Sequence, residues 1–262
     1  MLVAAATLPA RLGLIQDTHG AQVHHFHVRS SLVHRSLEQT MVVPDGGGRG
    51  RGLVLFLHGR DSHPDSYLFD ELFAALDRLG KRAPVVVFAN GGEHSYYHDR
   101  QGGRWGSYVM REVLPRALTR SGADGRRVAV GGISMGGYGA LDLARLHPGR
   151  FCAVGGHSPA LWPSAGLTPA GAFDDASDFA RHDVMGAARR VRDPFGAVPV
   201  RLDVGEADPF RTSTQALAAA LRSHGGRVTL AGGKGGHERA YWRRHIGQYL
   251  RFYARSLASC SR

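Results

Sequence analysis

Apolar positions along the chain follow two alternating rhythms. Residues 53–57 and 84–89 are continuous apolar runs of the kind a strand covered on both faces requires. Between them Leu68, Phe69, Leu72, Phe73, Ala75, Leu76 and Leu79 recur at helical spacing. The segment therefore predicts a β-α-β unit, whose crossover is right-handed. The alternation continues with a helix over 106–119, a strand over 127–130, a helix over 136–146, strands over 151–155 and 200–204, a helix over 212–224, a strand over 227–230 and a last helix over 239–257. Upstream, 23–28 and 38–43 alternate in the manner of two antiparallel strands at a sheet edge, and Pro44-Asp45-Gly46 ends them. The predicted fold class is α/β, with a mostly parallel central sheet and helices on both faces. Residues 159–192 break the rhythm, since no strand is predicted there and 171–179 read as short helices. Such a small helical insertion at the carboxyl edge of a sheet either walls a cleft or is an ordinary surface excursion.

Composition narrows the class. With 262 residues, 43% hydrophobic and 21% charged, the chain can bury one large core, and no Pro- or Ser-rich linker divides it. One domain is expected over 23–258. Residues 1–22 read as a leader, either the remnant of an export signal or a short cytoplasmic extension, so the compartment stays open. Its apolar start is too short to span a bilayer, and no stable membrane insertion is expected. The net charge of +11 suggests an anionic partner at first sight. However, the basic residues are almost all arginines scattered among acids, with only Lys81 and Lys234 as lysines, and no basic stripe interleaved with aromatics appears. Nucleic acid is therefore not an expected partner. Cys152 reads as a free thiol in a buried strand and Cys260 as part of a frayed tail, so neither a disulfide nor a metal framework is expected. No cofactor or metal is expected, and the sequence does not indicate an oligomeric state.

The candidate chemistry centres on Gly132-Ile133-Ser134-Met135-Gly136, a Gly-x-Ser-x-Gly motif between an apolar strand and an apolar helix. That context is a nucleophile elbow, a strained turn whose flanking glycines remove side chains that would collide with neighbouring backbone. Ser134 is the candidate nucleophile, and the amide of Met135, at the positive end of the helix dipole, is a candidate oxyanion donor. A serine hydroxyl needs a base, and the base needs an acid to hold its tautomer. In chain order the acid follows the serine. The strand over 200–204 runs into Gly205-Glu206-Ala207-Asp208, where Asp208 is preferred over Glu206 and over Asp203 inside the strand. The glycine-rich loop after the last strand delivers His237 as the base. Fifteen histidines make any one a weak signal: His24, His25 and His27 read as surface residues and His245 as a helix-face residue. The second oxyanion donor is expected in Leu57-His58-Gly59-Arg60-Asp61, where Gly59 permits a turn that aims the Arg60 amide inward. His58 and His63 lack a third ligand and do not read as a metal pair.

These residues, with Ser95-Tyr96-Tyr97-His98-Asp99, Trp105-Gly106-Ser107-Tyr108, Glu112-Val113-Leu114-Pro115 and Gly236-His237 followed by Tyr241-Trp242, make the chain resemble the esterase D and antigen 85 branch of the α/β-hydrolases over about 23–253, in the style of actinobacterial members. The resemblance implies the α/β-hydrolase fold, a triad of Ser134, Asp208 and His237, and an oxyanion hole from the amides of Arg60 and Met135. It implies hydrolysis of small-molecule or lipid esters or thioesters, or, in the antigen 85 branch, acyl transfer to a sugar or glycerol hydroxyl. The chain departs from the mycolyltransferase pattern at His58, which replaces the aspartate of an Asp-Gly-Leu-Arg loop, and at Arg60-Asp61, which stands where Leu-Arg would be. Simple ester hydrolysis is thus the expectation, with acyl transfer as the alternative. His58, Asp61, Tyr97 and Trp105 are candidate substrate contacts, although the aromatics, Tyr96 included, could equally pack the elbow helix against the sheet.

Overall fold

The computed structural model describes residues 17–260, so most of the leader expected over 1–22 lies outside the described residues. An eight-stranded sheet runs in the order β1 (Gln22–Ser30), β2 (Arg35–Val43), β4 (Val85–Ala89), β3 (Leu53–Leu57), β7 (Val128–Ile133), β8 (Val154–His157), β9 (Val200–Gly205) and β10 (Val228–Gly233). β1 and β2 are antiparallel to their neighbours; every other pairing in this sheet is parallel. A small hairpin of β5 (Asp99–Arg100) and β6 (Gly103–Arg104) stands apart. The helices are α1 (Asp70–Leu79), α2 (Trp105–Tyr108), α3 (Leu114–Ser121), α4 (Met135–Leu146), α5 (Ala176–Arg181), α6 (Val184–Arg190), α7 (Arg211–Ser223) and α8 (Arg239–Ala258).

Side chains alternate across each strand, which is why the apolar runs serve two cores. Leu53, Leu55 and Leu57 join Val85, Val87 and Val130 on one face, under Tyr108, Leu114, Leu141 and Leu217. Val54 and Phe56 join Val86, Phe88 and Ile133 on the other, under Leu72, Phe73 and Leu76 of α1 and Ile246, Tyr249, Leu250 and Tyr253 of α8. The predicted helix over 106–119 is longer and irregular, with a π-helical stretch Val109–Val113 between α2 and α3. Pro115 cannot donate a backbone hydrogen bond to the preceding turn, and the widened turn absorbs that loss. Between β8 and β9 the described residues hold short helices and no strand. Asp175 and Asp183 cap α5 and α6 by accepting from the amides of Asp178 and Gly186, each at 2.7 Å. Among the described residues no helix is long and apolar enough to cross a membrane.

The cysteines correct the sequence reading. Cys152 and Cys260 form a disulfide across 108 residues, with their Cα atoms 5.7 Å apart. No local pattern announces this, because only the packing of α8 against the sheet carries the chain end to the start of β8. Cys152 precedes β8, whereas Ser134 follows β7, so the bridge lies at the opposite edge of the parallel strands from the elbow. Closing a loop of this length constrains the unfolded chain by an amount on the order of 4–5 kcal/mol, less any native strain. Replacing both cysteines by serine is expected to lower the unfolding free energy by about 2–4 kcal/mol in guanidinium titrations, with ester turnover per folded molecule unchanged.

Candidate active site

Ser134 sits between β7 and α4 with φ 55° and ψ −117°, a left-handed conformation that side chains rarely adopt and that costs about 1–3 kcal/mol. The surroundings hold it there. Its amide donates to the His157 carbonyl at 3.0 Å, and its carbonyl accepts from the amides of Tyr138 and Ala160, both at 3.0 Å. A Cβ on Gly132 would stand 2.4 Å from the Gly136 carbonyl oxygen, and one on Gly136 would stand 2.1 Å from that of Leu57. Both motif glycines are therefore obligatory, since the backbones of β3, β7 and α4 meet at this point.

The loops after β9 and β10 are tied together. The amides of Glu206 and Ala207 donate to the carbonyls of Gly233 and Gly235, each at 2.9 Å, and a Cβ on Gly205 would come within 2.3 Å of the Gly235 oxygen. This nesting sets His237 between two partners: Nδ1 is 3.0 Å from Asp208 Oδ2, and Nε2 is 2.8 Å from Ser134 Oγ. The tautomer consistent with both donates from Nδ1 to the carboxylate and accepts from the serine hydroxyl at Nε2. Phe210 and Trp242 hold the imidazole from two sides, each with ring centroids 5.2 Å away.

Of the three candidate acids only Asp208 reaches His237. Asp203 points to the other face, where it accepts from the Tyr249 hydroxyl at 2.7 Å and pairs with Arg201, and Glu206 is exposed. Burial alone would push the Asp208 carboxyl up, but hydrogen bonds from His237, the Phe210 amide and the Ser158 hydroxyl, together with the His237 charge, hold it below the usual carboxylate range. Trp242 Nε1 donates to Ser158 Oγ at 3.1 Å, so a chain of polar contacts runs from Trp242 through Ser158 and Asp208 to His237. The sequence reading did not assign Ser158. Its position at the carboxyl end of β8 was the available signal.

The two amides expected at an oxyanion are free to donate. Neighbouring groups are engaged: the His58 amide donates to the Tyr97 hydroxyl, the Gly59 amide to that of Tyr67, and the Asp61 amide to the Glu93 carbonyl. Among the described residues neither the Arg60 nor the Met135 amide has a hydrogen-bond partner. The Gly59 loop also runs against the serine, since a Cβ on Gly59 would lie 3.5 Å from Ser134 Cβ.

Three of the expected substrate contacts lie inside the fold. His58 is wholly buried, with Nδ1 2.8 Å from the Gly59 carbonyl and Nε2 3.1 Å from the Gly91 amide, so both ring nitrogens are used to join two loops. Tyr97 is wholly buried between Gly91 and Gly139, where a Cβ would stand 2.1 Å and 2.7 Å from its ring. Trp105 is buried against Gly92 and Gly103. These side chains are packed against neighbouring backbone. Asp61 is exposed, with φ 55°, and pairs with Arg60 at 3.2 Å and His94 at 3.5 Å. Tyr96 packs edge-on against Tyr138.

Residues 30–253 match the family described as putative esterase. The chain is 28% identical over 184 residues to the diacylglycerol acyltransferase/mycolyltransferase Ag85B of Mycobacterium intracellulare, covering 63% of this chain and 55% of that one. It is 29% identical to Ag85B of Mycobacterium leprae over 205 residues, covering 70% and 62%. The matches thus span little more than half the length of these curated relatives. Among solved structures, a ferulic acid esterase superposes with TM-score 0.79 at 21% identity over 91% of this chain and 98% of its own. An S-formylglutathione hydrolase from Agrobacterium tumefaciens superposes with TM-score 0.75 at 19% identity, over 91% and 96%. These last two similarities establish the α/β-hydrolase fold.

Two measurements test the site. Asp208→Asn is expected to reduce kcat by about 10⁴, the scale for a triad acid that fixes its histidine's tautomer, while Glu206→Gln and Asp203→Asn stay far above it. Crippling of the Glu206 variant instead would reassign the acid. The second concerns pH. Burial, despite the Gly59 hydrogen bond, lowers His58 to about 4. The unfolded chain therefore binds a proton that the folded chain refuses between pH about 6.5 and 4, and the stability present above pH 6.5 is lost as pH falls through that window. The difference in unfolding free energy between pH 7 and 4.5 should shrink by about 2 kcal/mol in His58→Asn; an unchanged slope in urea titrations would remove His58 from the acid response.

Proposed function

The chain belongs to the putative esterase family, and on that premise we propose that it is a serine hydrolase that cleaves small-molecule or lipid carboxylic esters or thioesters through an acyl-enzyme. The observation that carries the reading is the continuous line Ser134 Oγ, His237, Asp208, with contacts of 2.8 Å and 3.0 Å. In this reading His237 Nε2 takes the hydroxyl proton as Ser134 Oγ attacks the carbonyl carbon. Asp208 holds the Nδ1–H and stabilises the imidazolium. The negative oxygen of the tetrahedral intermediate accepts from the Arg60 and Met135 amides, with the amino end of α4 behind it. His237 returns the proton to the departing alcohol or thiol, then removes one from water as it attacks the acyl-serine. The second tetrahedral intermediate collapses with cleavage of the acyl–Oγ bond, His237 returns that proton to Ser134 Oγ, and the acid leaves. No metal or redox cofactor is needed for any step.

The same reading takes residues 23–258 as one catalytic domain, with the insertion over 159–192 beside the cleft. Its support is aromatic: Trp162 meets Phe210 edge-on at 4.9 Å, and Phe210 in turn meets His237. The Ag85B likeness favours one alternative, transfer of the acyl group to a sugar or glycerol hydroxyl at the same serine.

Ser134→Ala is expected to keep the fold and lower kcat by up to about 10⁶ on p-nitrophenyl esters, and to abolish labelling by a fluorophosphonate. A folded variant retaining a tenth of the activity would remove Ser134 from the mechanism. With glycerol or trehalose present, hydrolysis predicts free acid in step with p-nitrophenol; a predominant acylated acceptor would establish transfer.

A further inference from the structure

The exposed face of the β1–β2 ribbon carries a second cluster of ligating side chains, remote from Ser134 in chain position and chemistry. In the antiparallel register His25 lies opposite Thr40 and His27 opposite Glu38, so all four project from one face. The turn 64–67 after β3 adds Asp65 to that face. His25 Nδ1 is 3.3 Å from Glu38 Oε1 and 3.8 Å from Asp65 Oδ1, and the three ligand atoms lie within 4.8 Å of one another. His27 Nε2 approaches the other Glu38 oxygen at 3.7 Å.

We propose that His25, Glu38 and Asp65, with His27 as fourth ligand, form a site for one divalent cation of the zinc class. A tetrahedral ion with bonds of about 2.1 Å needs neighbouring ligand atoms roughly 3.4 Å apart. The His25–Glu38 pair has this spacing at 3.3 Å, and the His25–Asp65 pair at 3.8 Å and the third pair, within 4.8 Å, reach it by small side-chain movements. Imidazole nitrogens select zinc-like ions over calcium and magnesium, which take oxygen donors. The cluster has an oriented outer contact too: the Thr40 hydroxyl donates to Asp65 Oδ1 at 2.5 Å, fixing that carboxylate. Among the described residues no lysine or arginine pairs with Glu38 or Asp65, so the ion pairs they make are with histidines. The bound ion would clamp the turn 64–67 to the ribbon. That turn ends in Tyr67, whose hydroxyl accepts the Gly59 amide one residue before Arg60, so the clamp steadies the loop beside the serine without taking part in catalysis.

The test uses the full chain stripped with a chelator and titrated with Zn²⁺ by calorimetry, with Mg²⁺ and Ca²⁺ as competitors. Expected are one equivalent bound, a rise in Tm of roughly 5 °C at saturating zinc, and, with Co²⁺ as a probe, the intense visible bands of a four-coordinate ion. Glu38→Gln and Asp65→Asn, whose folding is checked by circular dichroism and metal-free ester turnover, should each weaken binding tenfold or more. Thr40→Val should weaken it about 10–100-fold through Asp65. His24→Asn, on the opposite face of β1, should leave it unchanged. Absence of saturable one-equivalent binding, or equal binding by the Glu38 and Asp65 variants, would overturn the proposal.

Discussion

The structure depends on one close approach, where the end of β3, the end of β7 and the first turn of α4 bring their backbones together around Ser134. A side chain as small as a methyl group at Gly132 or Gly136 would overlap the carbonyl oxygens of Gly136 or Leu57. Because the strands cannot move apart without breaking the β3–β7 ladder, the chain meets the constraint with glycine and tolerates a left-handed serine. The same approach brings the Gly59 loop to the serine, so the turn that strains Ser134 also presents two unengaged amides beside it.

Support for the elbow comes from below as well as from the cleft. His157, whose carbonyl receives the Ser134 amide, stacks on Tyr249 at 3.6 Å between centroids and meets the Tyr253 hydroxyl at 2.8 Å through Nε2. The Tyr253 hydroxyl fits only because Gly131 and Gly155 lack side chains; a Cβ at either would lie within 2 Å of it. Burial, with Arg201 nearby, drives His157 well below the ordinary histidine range, so this support is a neutral ring. α8 thus supplies the underside of the site, and the disulfide ties down the far end of that helix.

The insertion is held by buried polar pairs. His98 Nε2 contacts Asp178 Oδ2 at 3.0 Å, His182 Nδ1 contacts Asp142 Oδ2 at 2.7 Å, and the two imidazoles lie 4.5 Å apart. One partner of each pair comes from α5 or the residue after it, the other from the scaffold: the loop before β5 for His98 and α4 for Asp142. Buried charge of this kind adds little net stability, because desolvation offsets attraction, but leaving one partner alone is costly. The pairs therefore favour a single seating of the insertion against the elbow helix.

Local rules carried much of this. Periods of two and 3.6 residues, runs apolar on both faces and a glycine-flanked serine are properties of short segments, and the strands, helices and elbow were legible from them. The meeting of Asp208, His237 and Ser134 was foreshadowed by strand ends, because a parallel sheet delivers its loops to one edge. What the segments could not hold were choices between neighbours and contacts across the chain. Asp203 and Asp208 are equivalent in composition, and only the alternation of β9 and the nesting of two loops turn one toward Tyr249 and the other toward His237. His58, Tyr97 and Trp105 look like site residues in sequence, yet their loops fold inward and their polar atoms or rings fill the floor. Cys152 and Cys260 are 108 residues apart and meet only once α8 has packed. Sequence fixes what each segment can become, because backbone preference and amphipathicity act locally; tertiary structure alone decides which side chains share a site, because that depends on the closure of loops whose ends are far apart in the chain.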